Sequence, residues 1–529
     1  MMITGKNYIG NDLTATGDST YATFNPKENT QTDWKLFEAT EDEINKAAQK
    51  AKDAFAGYKD LSGAKKAEFL IAIAEEIEAL GDELIETYMI ESGLPEGRAR
   101  GERGRTMSQL KSFATLLQEG SWVEATIDTA QPDREPLPKV DIRKMLVPIG
   151  PIAVFGSSNF PFAFSTAGGD TASALAAGCP VIVKSHPMHA ATGELVSSAV
   201  IKAAKRTGMP DGVFSNLNSS GIEVGKKLVL HPSIKGVGFT GSIKGGMALY
   251  RLANEREEPI PVFAEMGSIN PVVVFPSALE DKEANWAQKY AGSITLGAGQ
   301  FCTNPGLILG IEGETMNSFI KKLGEEISQL DPTCMLHPNI HKNFESGKQE
   351  LSNQGGVDVV AEYTADASPN FAKQKVLSIA GAEFLKNPKL HEEVFGPFSI
   401  VVRCTDANEL NAVIGRLEGQ LTGTLLGDES EMSTYTDTID ALQSKVGRII
   451  FNGVPTGVEV CPSMQHGGPF PASSDSRFTS VGTSAIKRWV RPVSFQNWPH
   501  DLLPDALKNN NPLNLMRLLN GEHTNTKVS

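Results

Sequence analysis

Cysteine is scarce in this chain: five among 529 residues, at positions 179, 302, 334, 404 and 461. The count is odd and no two are near neighbours, which speaks against a disulfide framework and a paired zinc site and fits a reducing compartment. Apolar runs are short. None reaches the roughly 18 residues that a membrane-spanning helix needs, and the polar, glycine-containing start of the chain lacks the apolar centre of a secretion signal. The expected location is therefore the cytoplasm. Positive charge is not in excess: 49 Lys and Arg stand against 63 Asp and Glu, for a net −14. That balance argues against a nucleic-acid or anionic-membrane partner, since both rest on clustered basic residues. Histidines 186, 189, 231 and 466 show no metal-ligand spacing, so no metal is expected and each is read as a surface or packing residue. Internal repeats, low-complexity tracts and the GxGxxG dinucleotide fingerprint are all missing.

What is present is the patterning of a large α/β protein. The length exceeds what one hydrophobic core supports, so two or three domains are expected. Apolar residues recur at helical spacing over Glu41–Tyr58 and over residues 64–89, predicting amphipathic helices. From about residue 143 short β-rich runs follow one another at Ile152–Phe155, Val181–Lys184, 213–217, 234–239 and 271–275. Helical stretches at 161–177, 188–206, 221–231 and 244–255 alternate with them. Alternation of this kind predicts a parallel sheet with helices on both faces, which binds ligands beyond the carboxyl ends of its strands. A second α/β region follows over 265–472, with strands at 307–310, 399–403 and 448–451. Residues 486–498 read as a strand that runs into Pro-rich irregular chain.

The strand ends carry the chemistry. Val154-Phe-Gly-Ser-Ser-Asn-Phe-Pro161 leaves a strand and is read as opening a helix at Pro161. That would put Asn159 at a helix N-terminus, either as an oxyanion holder or as a plain cap. Lys184 ends Pro180-Val-Ile-Val-Lys184, pointing to the crevice or to solvent. Phe239-Thr-Gly-Ser-Ile-Lys-Gly-Gly246 passes from strand through glycine into helix, a weak phosphate signal on its own. Glu265 closes an apolar run before Met-Gly-Ser268, as a general base or a turn residue. Cys302 sits in Gly297-Ala-Gly-Gln-Phe-Cys-Thr-Asn-Pro-Gly306, where the glycines open close backbone approach, unlike the apolar setting of a core cysteine. Cys179, at a helix-to-strand turn, is explained by packing.

Taken in order, Asn159, Lys184, Phe-Thr-Gly-Ser, Glu-Met-Gly-Ser, Gly-Gln-Phe-Cys and Glu393-Val-Phe-Gly-Pro397 resemble the aldehyde dehydrogenase superfamily over nearly the whole chain. Ala167-Gly-Gly-Asp170, Gln300-Phe-Cys-Thr-Asn-Pro-Gly306, residues 451–459 and His466-Gly-Gly-Pro-Phe-Pro-Ala472 resemble one subgroup of it. That subgroup holds α-ketoglutaric semialdehyde (2,5-dioxovalerate) dehydrogenases and an NADP-dependent fatty aldehyde dehydrogenase.

The resemblance implies a Rossmann-type cofactor domain over 1–122 and 144–264, a catalytic domain over 265–478, and a bridging β segment over 123–143 and 479–500 that joins a homodimer or homotetramer. It implies that Cys302 attacks the aldehyde, that the Asn159 amide and the Cys302 N–H hold the oxyanion, and that Glu265 activates the water that releases the acid. Lys184 would meet the adenosine ribose, Gly241 and Ser242 the pyrophosphate, and Glu393 with Phe395 the nicotinamide ribose. One departure bears on the cofactor. Where the family carries a glutamate after the strand lysine, Lys184-Ser-His-Pro187 has proline, which lifts the electrostatic bar to a 2′-phosphate. NADP is expected to be preferred, with NAD possible. The small-molecule substrate expected from the subgroup is α-ketoglutaric semialdehyde, with medium- or long-chain aliphatic aldehydes as the second choice. No residue of the tunnel stretches stands out as a carboxylate clamp. A CoA-acylating enzyme, a retired scaffold and a cysteine hydrolase are the other readings, and retention of both Cys302 and Glu265 speaks against the first two.

Overall fold

The helix predicted over Glu41–Tyr58 is present, and Thr40 starts it with a reciprocal capping box to Glu43. The pattern over 64–89 is two helices, Gly63–Ala79 and Gly81–Ser92, broken at Leu80. A third and longer helix, Glu96–Glu119, follows. Its buried side includes Glu102, Thr106 and Gln109, so it carries no continuous apolar stripe for periodicity to reveal. This computed structural model describes residues 3–280 and 282–528.

The first sheet has the strand order Val262–Glu265, Gly236–Thr240, Ile152–Phe155, Val181–Lys184, Phe214–Leu217, Asn7–Ile9, Asp12–Thr14. The first five are parallel, and the two N-terminal strands close one edge antiparallel. Chain order reverses at Ile152–Phe155: the next two strands lie on one side of it and the following two on the other. A crevice opens at such a switch point, beyond the carboxyl ends of Ile152–Phe155 and Gly236–Thr240. The alternating pattern placed four of these strands to within two residues and missed Val262–Glu265 and the two N-terminal strands, while the run expected at 271–275 is a strand of the second sheet, Val272–Val274.

The second sheet orders Asp358–Glu362, Lys375–Ala380, Phe398–Cys404, Leu307–Ile311, Val272–Val274, Gln420–Leu426 and Val446–Phe451. All neighbours are parallel except the first pair. The two sheets meet where residues 472–474 lie along Val262–Glu265, with Met266 N–H on the Ala472 carbonyl at 2.8 Å.

A third sheet joins Val490–Gln496, Ile142–Pro148, Thr126–Asp128, Arg517–Leu519 and Glu522–Thr524. Its last two strands form a hairpin in what the sequence pattern leaves as irregular chain. The buried Arg517 guanidinium ties that hairpin to the carbonyls of Lys508 and Thr526. Among the described residues no helix is long and apolar enough to cross a membrane.

Candidate active site

The stretch 297–306 lies between the two large sheets and presents Cys302 on a tight, irregular loop. Gly299 adopts φ +65, and a Cβ there would collide with the Gly396 carbonyl, so only glycine allows the loop to sit this close to the Glu393-Val-Phe-Gly-Pro397 segment. Asn304 adds a bond from its amide to Gly396 O at 3.1 Å. Beneath the loop, Asn270 donates to the carbonyls of both Cys302 and Asn304 at 2.9 Å. Its own oxygen accepts from Ser268 and Thr422 at 3.0 Å. Asn270 stands at φ +48, a backbone conformation that asparagine tolerates better than most residues. This clamp on the Cys302 loop has no sequence signature beyond an asparagine near Glu265.

Around the sulfur the structure gathers Asn159, Glu265 and His466. The Asn159 amide donates one bond to the Gln300 carbonyl at 3.0 Å, which sets its head beside Cys302. The expected helix at Pro161 is not there: residues 161–167 are turns, and the helix is Gly169–Ala177. Asn159 is therefore no N-terminal cap. The turn is held instead by a carboxylate from the long helix, since Glu102 accepts the Phe162 and Ala163 N–H groups at 2.8 and 3.0 Å. His466, read from sequence as a packing residue, stands with Nε2 3.4 Å from Cys302 Sγ. A lone histidine in a glycine-rich loop gave no signal of that partnership.

Enclosure sets the proton affinities. Burial pushes the Cys302 thiol up to about 12, with Glu265 and Glu393 adding to the rise and Arg105 and Arg448 opposing it. Burial likewise drives His466 down to about 3, helped by Arg448 and Arg105, so the resting pair is a neutral thiol against a neutral imidazole. The Glu265 carboxyl lies well above the usual carboxylate range because it is buried, and its Oε2 has no hydrogen-bond partner.

One cavity of about 370 Å³ connects these groups to the carboxyl ends of the first sheet. It is lined by Cys302, Asn159, Glu265 and His466, and also by Gly241, Ser242, Glu393 and Phe395. Ser242 caps the helix Ile243–Asn254 through Gly245 N–H at 3.2 Å, and the N-terminal end of that helix faces the cavity. An amino-terminal helix end of this kind favours a phosphate. Glu393 stands over Gly267 at the cleft mouth, where the protein packed around its carboxyl raises it to about 7. Lys184 is the exception among the expected site residues. It is half-buried outside the cavity lining, donates to the Ser219 carbonyl at 2.9 Å, and is pushed down to about 8 by burial. Among the described residues no cluster of side chains suits a metal ion.

Comparison with known proteins agrees with this geometry. The model of the aldehyde dehydrogenase family matches residues 13–478. Alpha-ketoglutaric semialdehyde dehydrogenase 2 of Azospirillum brasilense is 46% identical over 99% of this chain and 100% of its own. The alpha-ketoglutaric semialdehyde dehydrogenase of Acinetobacter baylyi is 46% identical over 98% of each. Among solved structures, a betaine aldehyde dehydrogenase from Staphylococcus aureus superposes with a TM-score of 0.80 at 18% identity, over 94% of this chain and 97% of that one. A salicylaldehyde dehydrogenase from Pseudomonas putida G7 gives 0.79 at 20%, over 94% and 99%.

Proposed function

Because the chain belongs to the aldehyde dehydrogenase family, we propose that it oxidises α-ketoglutaric semialdehyde to 2-oxoglutarate with a nicotinamide cofactor, through a thioester on Cys302. The observation that carries this reading is the single cavity on which Cys302, Asn159 and Glu265 meet Gly241, Ser242 and Glu393. The substrate is supported by the two relatives of that name, matched over nearly their full length.

The chemistry follows from the residues. Cys302 Sγ adds to the aldehyde carbon as its S–H proton passes to His466 Nε2. The oxyanion forms beside Asn159, whose second amide hydrogen is not committed to Gln300. A donor so placed is worth about 3–4 kcal/mol of barrier. The nicotinamide, when bound, supplies the hydride acceptor. Glu265 then takes a proton from the water that attacks the thioester, the acid leaves, and His466 returns its proton to the Cys302 sulfur. A carboxylate whose proton affinity burial has raised is a stronger base than an exposed glutamate.

The cavity fits that cofactor. Gly241 and Ser242 would offer a helix N-terminus to the pyrophosphate, and Glu393 with Phe395 would hold the ribose on the nicotinamide side. Residues 1–122 and 144–264 make the cofactor unit, and 265–478 the catalytic unit. With Pro187 in place of an acid and Lys184 nearby in the chain, NADP is preferred over NAD. The segment 123–143 with 479–500 joins subunits into a homodimer or homotetramer.

Steady-state kinetics test the reading. 2,5-Dioxovalerate is expected to give the highest kcat/KM of an aldehyde panel, with NADP ahead of NAD. A long-chain aliphatic aldehyde ahead of it by about tenfold, which is about 1.4 kcal/mol of transition-state binding, would move the protein to the fatty aldehyde alternative. NAD ahead by the same margin would overturn the cofactor preference.

A further inference from the structure

The long helix Glu96–Glu119 turns two arginines, one heptad apart, toward the active-site side of the molecule. Arg98 is fully engaged. It pairs with Glu102 at 3.4 Å, and its guanidinium covers the rings of Phe160 and Phe301 at 4.3 and 4.7 Å. Arg105 is not. Its Nε and Nη2 are buried and have no hydrogen-bond partner. The guanidinium lies 5.6 Å from the centre of the Phe164 ring, and that ring stands 6.1 Å from His466.

The acids whose field reaches Arg105 do not neutralise it. Glu102 has both oxygens occupied, one by the Phe162 and Ala163 N–H groups, the other by the Tyr88 hydroxyl and Arg98. Glu459 is exposed to solvent on the loop after Gly457. Arg448, on the strand Val446–Phe451, adds a second positive group. Its Nη2 holds the Pro455 carbonyl at 3.0 Å while its Nε is buried without a partner. Both arginines act electrostatically on Cys302 and on His466. A buried guanidinium with unused donors is costly alone and binds a carboxylate strongly. Phe164 lines the catalytic cavity, and the Arg105 guanidinium lies against that ring, outside the cavity lining itself.

We infer that Arg105, seconded by Arg448, selects aldehydes that carry a carboxylate at the end remote from the carbonyl. A dioxo acid places its carboxylate at the far end of a short chain, where the Arg105 fork closes on it. A fatty aldehyde leaves the same fork unpaired. This assignment rests on the aldehyde-oxidising reading and names the group that discriminates between its two substrate classes.

The test compares the wild type with Arg105→Met and Arg105→Lys, using 2,5-dioxovalerate and pentanal as substrates and 2-oxoglutarate as a binding probe in calorimetry. In Arg105→Met the ratio of kcat/KM for 2,5-dioxovalerate over pentanal is expected to fall about tenfold or more, mostly through KM, as for loss of a charge-assisted pair. Binding of 2-oxoglutarate should weaken in parallel, with Arg105→Lys between the two. An unchanged ratio, or equal loss on both substrates, would show that Arg105 serves structure alone. Should the methionine variant not fold, the lysine variant decides by the same ratio. A wild type that oxidises no aldehyde sinks the proposed function itself, whereas the calorimetric difference between wild type and variant still decides the clamp.

Discussion

At the scale of single residues, the decisive quantity is how firmly Cys302 holds its proton. Burial pushes the thiol up to about 12, so in the free protein it is protonated throughout the neutral range and only the minor thiolate reacts. Inactivation by iodoacetamide is therefore expected to be slow at pH 7 and to quicken by about tenfold per pH unit with no plateau below about pH 9. A plateau near pH 7 would mean that the free protein already holds a thiolate. Cys302→Ala should abolish NADPH formation, and His466→Gln should lower kcat/KM by about ten- to a hundredfold while cofactor binding is kept. Undiminished turnover in Cys302→Ala would remove the thioester from the scheme. Cys302 was legible in the sequence because glycines flank it. His466 was not, because its meaning depends on a partner 164 residues away that only the fold supplies.

At the scale of elements, legibility followed how strongly a segment's own pattern reflects what it packs against. Helix Glu41–Tyr58 and strands Ile152–Phe155 and Val181–Lys184 bury clean apolar faces, and their bounds were readable. Helix Glu96–Glu119 buries carboxylate, hydroxyl and amide groups, so periodicity passed it over, and with it both the support of the 161–167 turn and Arg105. The helix expected at Pro161 failed for a related reason: Glu102 satisfies the turn's N–H groups from a distance, which a local rule cannot foresee. The Cys302 loop is held in the same long-range way. Asn270→Asp keeps the size of the clamp but turns a carboxylate toward the Cys302 and Asn304 carbonyls. Leaving such buried groups without a donor costs about 1–3 kcal/mol each. Thermal inactivation at a lower temperature and a fall in kcat larger than any rise in KM are expected, and wild-type kinetics in this variant would refute the clamp.

At the scale of the whole molecule, the first parallel sheet was implied by alternation, its switch point emerged only from the strand order, and the third sheet was only half visible. Its C-terminal hairpin pairs Arg517–Leu519 with Thr126–Asp128, strands nearly four hundred residues apart in sequence, and no local pattern announces such a pairing. The loops beside that sheet expose several large apolar side chains. Leu502, Leu513, Met516 and Trp498 are 67%, 52%, 51% and 47% exposed. Leu502 and Leu513 line a groove of about 890 Å³ between the sheet and helix Gly63–Ala79. Exposed apolar side chains gathered at a groove, as Leu502 and Leu513 are, mark a candidate face for a second subunit. Sedimentation equilibrium is expected to give two or four times the 56.8 kDa of one chain. Leu502→Asp should shift that equilibrium toward smaller species, because a charge would then have to be buried in the joint. A wild type that remains a 56.8 kDa monomer at micromolar concentration would leave this face with no partner of its own kind and would confine the third sheet to bracing the fold.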